Sequence, residues 1–388
     1  MSSLPLELSD IFSSLPKSYV DFLSVDKSRV HRAIVRCRTR ELGAHVSRCD
    51  RCNFSEQSYN SCRNRHCPKC QGGCSAKWTS ARSRELLEVP YFHTVFTIPK
   101  ELKEIAYMHK RVFYELMFKA VSETMKAVAR NPMFLGAEIS FYAVLHTWNQ
   151  RLEFHPHIHV VSPNGGFSEN KREWKKGGKN FFLPVRALSK VYRGKLVELL
   201  RRAFFLGRLS RVCSEIELEK VIGRCHVSDW VVYSKHPFGG PRQVIKYLSS
   251  YVHRVAISNR RLRSFDGERV TFAYRCPERK DKKRLLTLSK TTFANRFLLH
   301  ILPKNFTRIR HYGFLASRTK ARNLELARRL ISEASDKVQI AATEIRTLSH
   351  KCKECDDGIM HCVYWCLPMI PHRSTLKNPT REQSSSPP

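Results

Sequence analysis

The pattern of hydrophobic and polar positions changes along the chain and predicts different elements in different segments. The run VPYFHTVFTIP, residues 89–99, is rich in β-branched and aromatic side chains, which is typical of a buried strand. Two further apolar runs, ISFYAVLHTW and LEFHPHIHVV, lie within residues 139–161 and are separated by a turn near Asn149 and Gln150. The centre of the chain is therefore predicted to contain strands.

Helical spacing occurs before, between and after these strands. Apolar positions three or four apart predict short helices within residues 1–36, a helical segment over residues 102–128, and one or two amphipathic helices within residues 323–348. The mixture of helices and strands predicts an α+β fold.

One predicted strand carries alternating histidines. His157 and His159 are two residues apart, so both point to one face while Ile158 and Val160 point to the other. Two neutral imidazoles side by side suit a divalent cation. His155 shares the face, but Pro156 implies that regular pairing begins only after it. A His-x-His pair alone is common, and a partner motif is needed.

Such a partner occurs on a predicted helix. Tyr247 and Tyr251 are four residues apart, so their hydroxyls lie on nearly the same face, and Gln243 extends this stripe. Taken alone, the pair also fits an amphipathic core helix with its hydroxyls at the rim. Basic residues around the tyrosines favour a phosphate ligand instead: Lys246, His253, Arg254, Arg260 and Arg261.

The 14 cysteines are concentrated towards the two ends of the chain. In an intracellular protein such clusters indicate metal sites before disulfides. Cys49-x2-Cys52 and Cys67-x2-Cys70 have the spacing of one structural four-cysteine zinc site. Cys62 and His66 lie between the pairs. The spacing therefore also allows one of them to replace a cysteine ligand, or a second zinc ion to bind. A later cluster, formed by Cys352, Cys355, Cys362 and Cys366, could bind another zinc ion. Its CKECDDG segment differs from the more usual zinc knuckle, which contains proline and glycine.

Charge defines the class of partner. The chain has 69 Lys+Arg and 34 Asp+Glu, a formal net charge of +35, which favours nucleic acid over membranes or acidic proteins. No apolar run approaches the roughly 18 residues of a membrane-spanning helix, and the N-terminus has no signal-peptide pattern. We therefore expect a soluble, cytoplasmic protein.

Two basic runs, residues 171–179 and 278–284, are expected to contact the DNA backbone or to be merely solvated loops. Base stacking is expected for Trp174, and either base stacking or, in preference, core or hairpin packing for Phe181 and Phe182.

Five segments carry a family resemblance, in the family's order, over roughly residues 30–320: YNSCRNRHCPKCQ, YFHTVFTIPKEL, VLHTWNQRLEFHPHIHVV, YLSSYVHRVAISNRRL and LPKNFTRIRHYGFLA. With these segments the sequence resembles rolling-circle insertion-sequence transposases of the HUH (His-hydrophobe-His) nuclease superfamily, in the two-tyrosine group with an N-terminal zinc-binding domain. The resemblance implies an HUH-endonuclease core, an antiparallel sheet with helices behind it.

The resemblance also implies the roles of individual residues. Tyr247 and Tyr251 would be the nucleophiles, while His157 and His159 would bind a catalytic Mg²⁺ or Mn²⁺. Gln243 is the expected third ligand, with His155 and His146 as rivals. The zinc module would use Cys49, Cys52, Cys62, His66, Cys67 and Cys70. The expected DNA-contacting residues are Arg63, Arg65, Arg254, Arg260, Arg261, Arg308 and Arg310.

The expected activity is nicking and rejoining of single-stranded DNA at element ends and target sites through a 5′-phosphotyrosine, without a nucleotide cofactor. The chain would then act at the nucleoid. Two alternatives are an HUH replication initiator or relaxase, and a catalytically inactive zinc-dependent DNA-binding protein. The expected division is a helical lead-in (1–36), a zinc-binding domain (37–88), the catalytic domain (89–320), C-terminal helices with a cysteine cluster (321–371) and a disordered tail (372–388).

Overall fold

A computed structural model describes most of the 388-residue chain. The described residues are 5–178, 182–212, 214–228, 230–235, 255–276, 283–316, 318–333, 351–355 and 357–366. They fall into two compact units, one built around a five-stranded sheet and one around a three-stranded sheet. The α+β prediction is confirmed.

The five-stranded sheet is antiparallel, with the strand order β12-β4-β5-β3-β8. Its strands are β3 (Tyr91–Thr97), β4 (Phe141–Trp148), β5 (Phe154–Pro163), β8 (Val232–Lys235) and β12 (Ile309–Tyr312). Every residue of β3 and β4 is buried, which explains why these segments are almost continuously apolar. All three strands predicted from the hydrophobic runs are confirmed.

Two long helices cover the rear face of this sheet: α6 (Lys110–Arg130) and α7 (Val185–Phe205). The apolar side chains of β5 that alternate with its histidines, Ile158 and Val160, join these helices in the main core. The predicted helical segment 102–128 is confirmed, with a break at His109 between α5 (Lys103–Met108) and α6.

The remaining elements of this unit surround the sheet. Its helices are α1 (Leu8–Ser13), α2 (Lys17–Asp21), α3 (Val25–Val35), α4 (Pro68–Ser83), α8 (Glu215–Val227), α9 (Lys290–Leu298) and α10 (Lys320–Glu333). Its small sheets contain β6 (Gly166–Phe167) with β7 (Trp174–Lys175), and β9 (Leu262–Phe265), β10 (Arg269–Arg275) and β11 (Lys283–Ser289). The helices predicted within residues 1–36 are confirmed, and α10 confirms the first part of the helical pattern predicted for 323–348.

The second unit combines distant parts of the sequence. Its sheet has the order β13-β1-β2, with β1 (Ala44–Cys49), β2 (Ser55–Tyr59) and β13 (Met360–Cys366). All pairing is antiparallel, and β13 pairs with β1 from Ala44↔Cys366 to Cys49↔Met360. The predicted separation of a zinc-binding domain (37–88) from a C-terminal segment (321–371) therefore differs from the observed division, because β13 completes the sheet that β1 and β2 begin.

Candidate metal centres

Three histidines meet on the front face of the five-stranded sheet. His146 on β4 is paired directly with His157 on β5, and His159 lies two residues further along β5. One nitrogen from each ring lies within 4.8 Å of the others. Strand alternation directs all three rings to the face opposite the apolar core. The sheet thus assembles a candidate metal centre from two adjacent strands.

Hydrogen bonds orient two of these rings. The Nδ1 of His157 lies 2.6 Å from the backbone oxygen of His155. Because a carbonyl oxygen only accepts, that Nδ1 carries the proton, and the lone pair is on Nε2. The Nδ1 of His159 lies 2.8 Å from the Nε2 of His93. If His159 donates in this bond, its Nε2 also becomes a metal ligand, an arrangement that frequently positions metal-binding histidines.

The three rings differ in burial. His146 is 2% exposed and stacks on Trp148, with ring centroids 4.7 Å apart. His159 is 6% exposed, whereas His157 is only partly covered. His157 is therefore the least buried of the three rings. Behind Trp148, burial lowers the pKa of His300 to about 4, so this ring is neutral at pH 7.

The ligand atoms of the three histidines favour one of the two expected ions, Mg²⁺ and Mn²⁺. Three imidazole nitrogens are poor ligands for Mg²⁺, which prefers oxygen, whereas nitrogen ligands suit transition-metal ions. The residues fit Mn²⁺ better than Mg²⁺. Phosphate oxygens or water would complete the coordination.

The predicted partners of the histidine pair have different outcomes. His157 and His159 are brought together as expected. His146, a rival for third ligand, joins them, while the side chain of His155 is not in the group. The preferred third ligand, Gln243, and both predicted nucleophiles, Tyr247 and Tyr251, lie outside the described residues.

Several expected DNA-contacting arginines are committed to intramolecular contacts. Arg65 donates to the Phe306 carbonyl at 2.7 and 3.0 Å, and Arg261 donates to the Ala273 carbonyl at 2.8 Å. The Arg310 guanidinium lies 4.2 Å from the ring centroid of Phe118.

Arg308 is only 7% exposed, so its side chain is not available to a DNA strand on the surface. Burial, together with the charge of Arg65, lowers the pKa of Arg308 to about 10. Arg63 and Arg260 are exposed and remain predicted DNA contacts, and Arg254 lies outside the described residues.

The aromatic candidates for base stacking are also largely internal. Trp174 is 6% exposed and packs edge-on against Phe167. Phe182 is 5% exposed and stacks on Phe92, with centroids 5.3 Å apart. For Phe182 the packing alternative is correct, and Trp174, expected to stack on bases, is also packed internally. Phe181 lies outside the described residues, as do Lys179 and residues 278–282 of the two basic runs.

The predicted grouping of Cys49 and Cys52 with Cys67 and Cys70 differs from the one in the structure. In the unit built around the three-stranded sheet, Cys49, Cys52, Cys352 and Cys355 have ligand atoms within 4.8 Å of one another, as do Cys37 and Cys62; in the other unit, so do Cys67 and Cys70. His66 is in none of these groups. Burial and the nearby charges of Arg308 and Arg65 lower its pKa to about 3, so it is neutral.

The length of the β1–β2 hairpin explains why Cys49 and Cys52 do not share a site with Cys62. Cys49 and Cys52 lie at the turn end of the hairpin, whereas Cys37 and Cys62 flank its open end, where the Asn60 N–H donates to the Gly43 carbonyl at 3.0 Å. Strands of five or six residues separate the two ends by roughly 15–20 Å. One zinc ion cannot bind cysteines at both ends.

The later cysteine cluster is also divided. Cys352 and Cys355 join the N-terminal pair, while Cys362 is exposed on β13 and outside the group. The side chain of Cys366 is not among those described. Backbone N–H donors of Cys355 and Glu354 lower the pKa of Cys352 to about 7. The cysteine clusters suit structural zinc.

Among the described helices, none is both long enough and apolar enough to cross a membrane.

Comparison with known proteins identifies two matching segments. Residues 11–98 match the family described as "Transposase zinc-binding domain", and residues 140–323 match the family described as "Putative transposase". The chain is 43% identical over 334 residues to "Putative transposase y4qJ" of Sinorhizobium fredii (strain NBRC 101917 / NGR234), an alignment covering 84% of each chain. It is 26% identical over 298 residues to "Transposase for insertion sequence element IS801" of Pseudomonas savastanoi pv. phaseolicola, covering 74% of this chain and 69% of that protein. No solved structure matches.

Proposed function

This chain belongs to the IS91 family of transposases, and from that premise we propose that it nicks and rejoins single-stranded DNA at insertion-sequence ends through a 5′-phosphotyrosine. The observation that carries the proposal is the cluster of His146, His157 and His159 on the sheet face opposite the apolar core. A solely DNA-binding protein has no need for three converging imidazoles on that face.

The histidines would hold the reacting phosphate in place through a divalent ion, with Mn²⁺ the better match. Such an ion, when bound, offsets the charge of the scissile phosphate and makes its phosphorus more electrophilic. His157 is the least buried of the three rings, so the phosphate would enter on its side. The bond of His157 to the His155 carbonyl and that of His159 to His93 would keep the rings fixed as the phosphate enters.

Tyr247 and Tyr251 are the proposed nucleophiles. The phenolic oxygen of one tyrosine forms a bond to phosphorus as the bond from phosphorus to the 3′-oxygen breaks. The phenolic proton is lost to solvent, and the leaving oxygen is protonated to a 3′-hydroxyl. The DNA 5′-phosphate then remains on the enzyme as an ester, which conserves the bond energy for rejoining without ATP.

A second tyrosine would allow the donor and target ends to be held at once or in succession. The substrate would be single-stranded DNA at the element ends and the target, with the exposed Arg63 and Arg260 as candidate backbone contacts. A replication initiator or relaxase would use the same chemistry, but the zinc-binding match and the transposase relatives favour transposition.

Substitution of either tyrosine tests this proposal. Tyr247→Phe and Tyr251→Phe are each expected to abolish or cripple transposition, because phenylalanine lacks the attacking oxygen. Zinc content should not change, since neither tyrosine is a zinc ligand. The measurement is transposition frequency together with zinc per chain. Full activity of both single variants would overturn the assignment, and the absence of any covalent DNA adduct with any metal would favour the inactive binding protein.

A further inference from the structure

We propose that the chain carries a second structural zinc site, in which Cys49 and Cys52 are joined by Cys352 and Cys355 from the opposite end of the sequence. The family matches cover residues 11–98 and 140–323, so neither includes the second pair. The site would make the C-terminal segment a part of the zinc-binding unit.

The sulfur atoms have the spacing of a tetrahedral thiolate site. Cys49 Sγ lies 3.6 Å from Cys355 Sγ, and Cys52 Sγ lies 3.6 Å from Cys352 Sγ. A zinc ion with four Zn–S bonds of about 2.3 Å requires sulfurs about 3.8 Å apart. A disulfide would require about 2.05 Å, and all four cysteines are free. The four sulfurs are therefore placed for a shared ion.

Both Cys-x2-Cys turns have the same local structure. In the first turn the Arg51 N–H donates to Cys49 Sγ at 3.4 Å, and in the second the Glu354 N–H donates to Cys352 Sγ at 3.4 Å. Each donor lies two residues after the first cysteine of its pair. Backbone N–H groups directed at sulfur stabilise the thiolate form, which is the form that binds zinc.

Gly358 allows the two turns to approach each other. A Cβ atom at this position would lie 2.2 Å from Cys49 Sγ and 2.8 Å from Cys355 Sγ. Both distances are far below van der Waals contact, and the Gly358 carbonyl accepts the Cys352 N–H at 2.8 Å. The CKECDDG segment thus ends in the one residue that fits against the sulfurs.

Hydrogen bonds also join the two turns. The Asp50 N–H donates to the Ile359 carbonyl at 3.1 Å, and the Ile359 N–H donates to Asp50 Oδ1 at 2.8 Å. Asp50 lies between the first two cysteines, and Ile359 follows Gly358. The backbone is therefore arranged for the ligand set independently of the sulfur positions.

The described part of this unit has little apolar core with which to stabilise itself. Ala44 and Val46 are buried on β1, but β2 alternates between exposed and partly exposed residues. The β13 side chains from His361 to Trp365 are all exposed. Small units of this kind commonly depend on a metal in place of a core.

Zinc content of the full chain tests the proposal. Three variants are compared with the unmodified chain: Cys49→Ser with Cys52→Ser, Cys352→Ser with Cys355→Ser, and all four substitutions together. Each variant, including the fourfold one, is expected to lose one zinc per chain, because all four residues bind the same ion. The matched control Cys362→Ser, on an exposed cysteine of β13, should lose none.

Other results would overturn the shared site. Unchanged zinc in the Cys352→Ser, Cys355→Ser variant would show that the C-terminal pair is not a ligand. A loss of two zinc ions in the fourfold variant would show that the two pairs bind separate ions. Iron in place of zinc would contradict the identity of the metal.

Alkylation of the unmodified chain gives a test that does not require the variants to fold. In the zinc-loaded chain, Cys49, Cys52, Cys352 and Cys355 should be protected and should become reactive together when a chelator removes zinc. Cys362 should react in both states. Alkylation of Cys352 and Cys355 in the zinc-loaded chain at the rate of Cys362 would overturn the proposal.

Discussion

His93 lies beside the candidate metal-binding histidines, is 3% exposed, and forms a hydrogen bond between its Nε2 and the Nδ1 of His159. The ring is not in the ligand group, so its role would be to fix the orientation and tautomer of His159. We expect His93→Leu to weaken Mn²⁺ binding about 10- to 100-fold, a typical effect of removing such a partner. The free-ion electron paramagnetic resonance signal during a Mn²⁺ titration measures the affinity.

Two control variants sharpen this prediction. His93→Gln retains a hydrogen-bond acceptor and should weaken binding less than His93→Leu. His155→Ala removes a neighbouring ring but keeps the carbonyl that accepts from His157, so its affinity should remain close to that of the unmodified chain. Equal Mn²⁺ affinity in the unmodified and His93→Leu chains would exclude the positioning role.

The histidine site could be predicted from the sequence only in part. His157 and His159 could be identified because they lie on one strand, where alternation alone places them together. His146 belongs to the neighbouring strand, so its place depends on the β4–β5 register, which has an irregularity between His146 and Trp148. His93 lies 66 residues before His159 in the sequence, and no local pattern connects it to the site.

At the scale of elements, Gly313 directly follows strand β12 at the edge of the histidine-bearing sheet. Its φ is +65°, and a Cβ would lie 2.0 Å from the Ile139 carbonyl oxygen. We expect Gly313→Ala to destabilise the fold by at least about 2 kcal/mol, from left-handed backbone strain together with the clash. The midpoint of chemical denaturation, followed by circular dichroism, measures this loss.

Gly194 provides the matched control. It lies within α7, and a Cβ there would have nothing within 4 Å. Gly194→Ala should therefore raise the unfolding free energy by about 0.5–1 kcal/mol, because alanine restricts the unfolded chain more and favours the helix. If Gly313→Ala changed the unfolding free energy by less than Gly194→Ala does, the close approach of Gly313 to the Ile139 carbonyl would be contradicted.

Three strands of the five-stranded sheet, β3, β4 and β5, were predictable because they are largely buried and therefore have nearly continuously apolar sequences. Strands β8 and β12 of the same sheet were not predicted. Strand β13 was not predicted. Its residues are exposed in the described structure, and it pairs with a strand more than 300 positions earlier. The order of strands in each sheet likewise depends on contacts that no local pattern encodes.

At the scale of the whole molecule, the net charge of +35 should govern DNA affinity. Because such binding releases counterions from the DNA, its affinity falls steeply as the salt concentration rises. We expect the affinity for single-stranded element ends to fall at least about tenfold between 50 and 200 mM salt. Fluorescence anisotropy of a labelled strand measures it, and a flat response would reject electrostatic binding.

The cysteine grouping was beyond sequence analysis because equal spacing does not specify which pairs share an ion. The two N-terminal Cys-x2-Cys pairs satisfy the spacing of one zinc site, yet the structure groups Cys49 and Cys52 with Cys352 and Cys355. The ligands Cys37, Cys352 and Cys355 come from segments that only the folded chain brings together. Family resemblance, in contrast, was readable from five ordered segments, and the matches confirm it.

The most direct test of the proposed chemistry is the rate at which the chain forms a covalent adduct with labelled single-stranded element ends in saturating Mn²⁺. His146→Ala should slow this rate by at least about 100-fold, because losing a direct ligand should cost no less than the roughly 10- to 100-fold typical of losing an outer-shell partner, while zinc per chain remains unchanged. His155→Ala should react at nearly the unmodified rate. Adduct formation by His146→Ala at the rate of the unmodified chain would contradict a catalytic centre built on His146, His157 and His159.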